Sequence, residues 1–465
     1  MSFTDLFDKL AEVSGGDSGT GNGTGSGDSG TGSASAPALD ELINGPDGQL
    51  ATAFGEHLVK GHLIATKYNV GPPPSSIFIQ AGGEGVWDSV VTAWYAGEEI
   101  DESVASGPGW LFYPGTISTA INDATQAVNP FLSSGIAYSG TAYVAVKLPE
   151  RFSTEDRPDK FVWRAKCKKT WRYDEHGNEV EFVYSTNAAD HAVDRIRAFY
   201  EQRYEDDLDL AFSLFRARVN WASYAEWRAY NAEEISWDNG TSTVDIARFE
   251  SHVVFTGEVD LASALDQITA SSGAFWQDDG EQFQFVTPAP HDPVHHFHYD
   301  PTARTRSNIV AGSVSQSPSD IRSRPNYLVA KFRDLDDPYL AEVSVVAKRP
   351  ELIAKVGIVK SERQFPNMNY SQAFRLLERQ LRIESDNPFT VNLRGDGTSM
   401  HVLPGDYVTV THPVLGYTYQ KCLVLSASPD SGEKTADEVD FTLLVLRDEL
   451  YSDTAHKPIQ EALEP

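Results

Sequence analysis

The apolar positions change period along the chain, and the changes mark its expected units. In residues 1–13, Leu6, Phe7, Leu10 and Val13 recur three and four apart, the spacing of an amphipathic helix that reads as a docking element for a neighbouring subunit. Residues 14–36 are almost all Gly, Ser, Thr and Asp. Such a tract buries too little apolar area to offset its ordering entropy, which predicts a flexible linker.

In residues 37–185 the pattern shortens to strand-like runs at 57–66, 76–80, 135–146 and 161–168, broken by Gly71-Pro72-Pro73-Pro74 and Gly107-Pro108-Gly109. Short β segments with Gly and Pro punctuation predict a first barrel-like region. Residues 186–306 read as a smaller mixed α/β insert. Ala192, Ile196 and Tyr200 share one helical face, and Trp221, Tyr224, Trp227 and Tyr230 form an aromatic stripe expected in packing rather than in a ligand box. A strand at 253–256 leads to Asp260, the expected N-cap of a helix that faces Leu261, Leu265 and Ile268 inward and ends near Gly273. A hairpin then turns at Asp278-Asp279-Gly280.

Residues 307–465 return to a second barrel-like region carrying one helix. Leu328, Ala330 and Phe332 alternate with Lys331 and Arg333, one dry and one wet face of a strand. Asn369 and Gln372 fit a capping box for a helix bearing Phe374, Leu377 and Leu381 with charged residues between. Leu403-Pro404-Gly405-Asp406 predicts a tight turn before strands at 407–411, 420–426 and 439–446. The expected class is therefore α+β, β-dominated, with two barrel-like regions flanking the mixed insert.

Charge narrows the partners. Lys plus Arg number 38 and Asp plus Glu 67, a formal net charge of −29, so counterion release cannot drive the chain onto DNA or anionic lipid. Cys167 and Cys422 lie far apart and outside any CxxC spacing, which points to two buried apolar thiols and not to a disulfide framework. No run of eighteen apolar residues and no secretory leader is seen, so a soluble protein made in the cytoplasm is expected, without a membrane-spanning segment.

The sharpest candidate for chemistry is HDPVHHFHYD, where His291, His295, His296 and His298 crowd together beside Asp292 and Asp300. Imidazoles suit zinc or nickel when three converge. The spacing matches no specified metal motif, and Pro290, Pro293 and Pro301 predict an extended loop or strand edge. No nucleophile elbow, Walker loop or dinucleotide fingerprint occurs, so no catalytic residue and no cofactor is expected.

Several strings, in order, resemble the hub region of phage tail-tip proteins, the group of lambda-like tip attachment proteins and tailed-phage baseplate hubs. They are residues 137–148 (AYSGTAYVAVKL), 185–192 (STNAADHA), 248–250 with the helix at 262–268, 308–313 (NIVAGS), 324–334 (RPNYLVAKFRD) and 403–413 (LPGDYVTVTHP). The resemblance implies a virion protein at the distal tail tip that assembles as a homotrimer. Its implied neighbours are the tail tube or distal tail protein, the tape-measure protein and a receptor-binding or fibre protein. Viral DNA would pass through without specific binding, past carboxylates that repel phosphates. With the chain ending at Pro465, receptor recognition is expected to fall to another protein. Two other functions fit parts of the sequence: a metal- or carboxylate-dependent cell-wall hydrolase, and a surface-binding β adhesin or carbohydrate-binding protein.

Overall fold

The computed structural model describes residues 50–67, 75–102, 109–115, 140–149, 160–238, 242–278, 280–302, 307–318, 322, 324–337, 340–386, 389–429, 438–446 and 451. The expected docking helix and linker lie outside the described residues. Within them the chain is α+β and β-dominated.

Two antiparallel sheets build the first β region. One runs in the order Glu179–Tyr184, Phe161–Tyr173, Trp87–Tyr95, Glu98–Glu99, with Glu56–Val59 also paired to Phe161–Tyr173; the other runs His62–Lys67, Ser75–Glu84, Thr141–Pro149, Gly109–Tyr113. Their inner faces share one core of Trp87, Phe161, Trp163 and Cys167 with Phe78, Val144, Val146 and Trp110. Two bonds tie their edges: the Trp87 N–H donates to Pro114 O at 2.9 Å, and Trp110 Nε1–H to Ile100 O at 3.0 Å.

The single strand expected at 57–66 is instead two strands in different sheets, Glu56–Val59 and His62–Lys67. The break falls at Lys60-Gly61, where a Cβ on Gly61 would sit 2.3 Å from Ala81 O. Only glycine lets the chain cross from one layer to the other so close to that backbone.

Six α-helices are described: α1 Ala188–Arg203, α2 Leu208–Arg218, α3 Trp221–Ala232, α4 Leu261–Ala270, α5 Pro350–Val356 and α6 Tyr370–Leu381. The first four, with the antiparallel hairpin Phe275–Asp278 and Phe283–Val286, enclose a core of Val193, Ile196, Phe215, Tyr224, Trp227, Leu265 and Ile268. The aromatic stripe is thus packing. Asp260 caps α4, accepting from the Ser263 N–H at 3.0 Å and Ser263 Oγ at 2.6 Å. Asp260→Ala is expected to lower stability by about 1 kcal/mol, as lost caps do; an unchanged denaturant midpoint would contradict this.

The second β region is a six-stranded sheet ordered His295–His298, Tyr407–His412, Tyr417–Pro429, Val439–Val445, Phe389–Gly395, Ser315–Pro318, its first pair parallel and the rest antiparallel. Residues 307–310 close it. Asn308 N–H donates to His298 O at 3.2 Å on one side, while Val310 N–H donates to Arg394 O at 2.9 Å on the other. The barrel interior holds Phe297, Ile309, Val391, Val408, Val410, Cys422, Val424 and Phe441. HDPVHHFHYD, expected as an extended loop or strand edge, therefore supplies a short terminal strand. Phe297 draws it in by burying its ring in the barrel.

Residues 327–364 form a separate three-stranded sheet, Glu342–Lys348, Tyr327–Arg333, Lys360–Gln364. Leu328, Ala330 and Phe332 are buried on it against α6, together with Trp237 and Phe249 from the mixed insert. Asn369 caps α6 as expected, accepting from the Gln372 N–H at 2.8 Å. The reciprocal half of a capping box is replaced: Gln372 Nε2 donates to Glu250 O at 2.6 Å and to Ser271 O at 2.8 Å. A buried amide that meets two carbonyls of another unit joins units rather than finishing a helix.

Candidate functional site

The predicted histidines do not assemble into a metal centre, and among the described residues no group of three or more His, Cys, Asp and Glu side chains could hold one. Strand alternation separates them. His296 and His298 stand on the outer face of the barrel, opposite to buried Phe297. The His296 Nδ1 lies 2.8 Å from Thr409 Oγ1, and its ring stacks on His298 at 5.9 Å and on Tyr419 at 4.6 Å. His295 meets Asn308 Nδ2 at 3.1 Å and the His401 ring edge-on at 5.3 Å. His291 is remote from these contacts, with its Nε2 donating to Thr287 O at 2.8 Å and Nδ1 standing 3.5 Å from Glu226.

A different polar cluster, not foreseen as a site, lies where the first barrel, the helical insert and α6 meet. Its residues come from four short segments: Phe54 to His57, Ser185 to His191, Glu250 to His252, and Asn367 to Gln372. Hydrogen bonds orient each of its three buried histidines. His57 Nε2 donates to Phe54 O at 2.8 Å, and its Nδ1 accepts from Asn367 Nδ2 at 3.1 Å. His191 Nε2 donates to Ser185 O at 2.7 Å, and its ring stacks on Phe54 at 4.7 Å. His252 Nδ1 accepts from the Glu56 N–H at 2.9 Å, leaving Nε2–H aimed at Glu250 Oε2, 3.8 Å away.

Burial, with the neighbouring charge of His252, pushes the His57 pKa down to about 3. Burial likewise pushes His191 down to about 4, against the Ser185 carbonyl and Asp190, which pull the other way. Desolvation therefore wins over nearby acceptors at both rings.

Beside them, fully buried Asp190 accepts from Ser185 Oγ at 2.6 Å, Tyr224 OH at 2.6 Å and Arg228 Nε at 3.0 Å. Asn187 caps α1 through the Ala189 N–H and places Asp190 in the first turn, where the helix dipole favours a carboxylate. The STNAADHA string at 185–192 is thus a helix start whose polar residues point inward. Sequence alone gives one hint of this, the density of Asn, Asp and His in a segment that begins a helix.

The arrangement positions structure: its donors and acceptors face one another at a three-way joint. Arg164 of the first barrel strengthens the same joint, bonding to Glu56, to Asp337 O at 2.9 Å and to Leu335 O at 2.6 Å. An open depression of about 200 Å³ lies at the closure of the second barrel, lined by Tyr299, Ser307, Ile309, Val310, Ala311 and Asp396. Its single carboxylate offers no acid–base pair. Both cysteines are free and buried, and burial raises both thiols, Cys422 to about 12.

No family model and no curated protein matches the sequence. A chain in the solved virion of a native gene transfer agent particle superposes with a TM-score of 0.58 at 16% identity, covering 94% of this chain and 92% of that one. The fold is shared with a virion protein. A tail protein from Neisseria meningitidis MC58 aligns over 88% of this chain and 99% of its own, with a TM-score of 0.35 and 10% identity. No helix among the described residues is long and apolar enough to cross a membrane.

Proposed function

We propose that this chain is a structural, non-enzymatic subunit of a phage-type tail: the hub that closes the distal end of the tail tube. On this reading it assembles as a homotrimer, contacts the tail tube or distal tail protein and the tape-measure protein, carries a receptor-binding or fibre protein, and forms part of the DNA ejection channel. The observation that carries the proposal is the shared fold with a chain of a gene transfer agent virion over 94% of the sequence. The two β regions on either side of a helical centre add support, because paired barrels in each of three subunits would supply six similar units around a tube. The division of the chain is part of the same proposal: residues 37–185 form one hub barrel, and 307–465 with the strand His295–His298 contribute the other.

Imaging of particles labelled with an antibody against this chain tests the position, with label expected only at the far end of the tail. Label along the tube, on the head or absent from particles would overturn the proposal. Purified protein is expected at three times the monomer mass by light scattering.

A further inference from the structure

We propose that residues 1–13 of this chain dock on its own helix α5 and cover the apolar, basic arm formed by residues 348–360. The inference concerns the single chain and stands apart from the tail position proposed above.

The arm is the excursion between the strands Glu342–Lys348 and Lys360–Gln364. Helix α5 at its centre buries none of its residues and has no side-chain cap. A helix of seven residues held by neither packing nor a cap is too short to persist by itself, so it calls for a cover. Leu352, Ile353 and Val356 share one helical face and are only partly buried, and Ile358 just beyond the helix is 65% exposed. Among the described residues none of the four belongs to a hydrophobic core.

The arm also reverses the sign of the chain. Residues 348–360 set Lys348, Arg349, Lys355 and Lys360 against Glu351 alone, in a chain of net charge −29. Lys348 and Lys360 flank Tyr327 in register at the foot of the arm. Glu378 and Glu362 meet Arg349 and Lys360 at 2.8 and 2.6 Å. Lys355 is exposed on α5 and has no carboxylate partner among the described residues. Two such arms face to face would set Lys355 against Lys355, so the fitting occupant is an apolar helix of opposite charge.

Residues 1–13 have that composition. Leu6, Phe7, Leu10 and Val13 recur three and four apart, with Asp5, Asp8 and Glu12 against the single Lys9. Stripe against stripe buries both apolar faces in the way paired helices pack, and the carboxylates then meet Lys355. Residues 14–49 join this segment to Leu50, the first described residue. Extended, that stretch reaches about 120 Å, and a folded chain of this length spans roughly 60 Å. The arm is therefore within range wherever it stands relative to Leu50. A tether also keeps the segment at an effective concentration on the order of millimolar, which favours the same copy over a neighbour drawn from dilute solution.

The test is hydrogen–deuterium exchange of the full chain, read by mass spectrometry on peptides covering residues 1–13 and 349–359. Wild type is expected to protect both, equally on dilution. Phe7→Asp with Leu10→Asp is expected to speed exchange in 349–359 at least about tenfold, and Lys355→Glu with Ile358→Asp to do the same in 1–13, since each side loses its cover. Lys355→Glu alone should weaken protection, and adding Asp8→Lys should restore it, a rescue that general damage to the fold would not allow. Lys355 and Ile358 lie outside the cores, so circular dichroism and Tm are expected to stay close to wild type. Exchange in 349–359 that ignores Phe7 and Leu10, or residues 1–13 unprotected in wild type, overturns the proposal. Protection that vanishes on dilution gives the arm to a neighbouring copy, and protection found only in assembled particles gives it to another protein. Either result overturns the chain's own segment as the occupant and leaves the tail-subunit proposal standing.

Discussion

Acidification from pH 7 to pH 4 is expected to remove on the order of 6 kcal/mol of stability through His57 and His191 alone. Both are buried and neutral in the fold, with pKa values lowered from 6.5 to about 3 and about 4. The unfolded chain protonates both near 6.5 while the folded chain does not, so between those limits the unfolded state binds more protons and stability falls as pH falls. Each unit of difference is worth about 1.4 kcal/mol. A loss of that size rivals the total stability of a typical domain, so unfolding, or separation at the joint between the first barrel and the helical insert, is expected between pH 5 and 4. Thermal melts across pH 7 to 4 check this. A flat Tm down to pH 4.5 would show that the rings are protonated or exposed in the native protein. His57→Gln with His191→Gln should flatten the pH profile while lowering stability at pH 7, because only the titrating group is then gone.

Asp190→Ala is expected to cost about 3–5 kcal/mol, the range for removing one partner of a buried ion pair. The loss does not come from packing. It comes from what is left behind: Ser185 Oγ and the Tyr224 hydroxyl lose their acceptor in a dry site, and Arg228 loses its counter-charge. Asp190→Asn keeps an oxygen at the same place and should lose less. Denaturant titration of the three proteins gives the comparison, and equal midpoints for wild type and the alanine variant would refute the role assigned to this carboxylate.

Much of the local structure was legible from residue spacing. The cap at Asp260, the apolar face of Leu265 and Ile268, the hairpin after Gly273 and the alternation in Tyr327–Arg333 each follow from interactions within a few residues of one another. The histidine-rich string, expected as an extended loop or strand edge, is a terminal strand in which neighbouring residues point to opposite faces, and Phe297 rather than an imidazole sets its orientation.

Sequence by itself determined the α+β class, the main helices and strands, and the acidity of the chain, because periods, caps and net charge are properties of short segments or of sums. Which polar residues lie inside was decided only by the tertiary structure. Arg375 and Arg379, charged residues between the apolar positions of α6, are buried together with Gln380, and both guanidinium groups lie over the Phe249 ring at 4.8 and 5.3 Å. Gly405 was legible as a turn residue and does hold φ +100°, but a Cβ there would also lie 1.9 Å from Phe275, a residue 130 positions away. The joint of His57, His191, His252 and Asp190 draws on segments far apart in the chain. No local pattern encodes it, because the burial that makes those groups neutral or paired exists only once distant units have packed together.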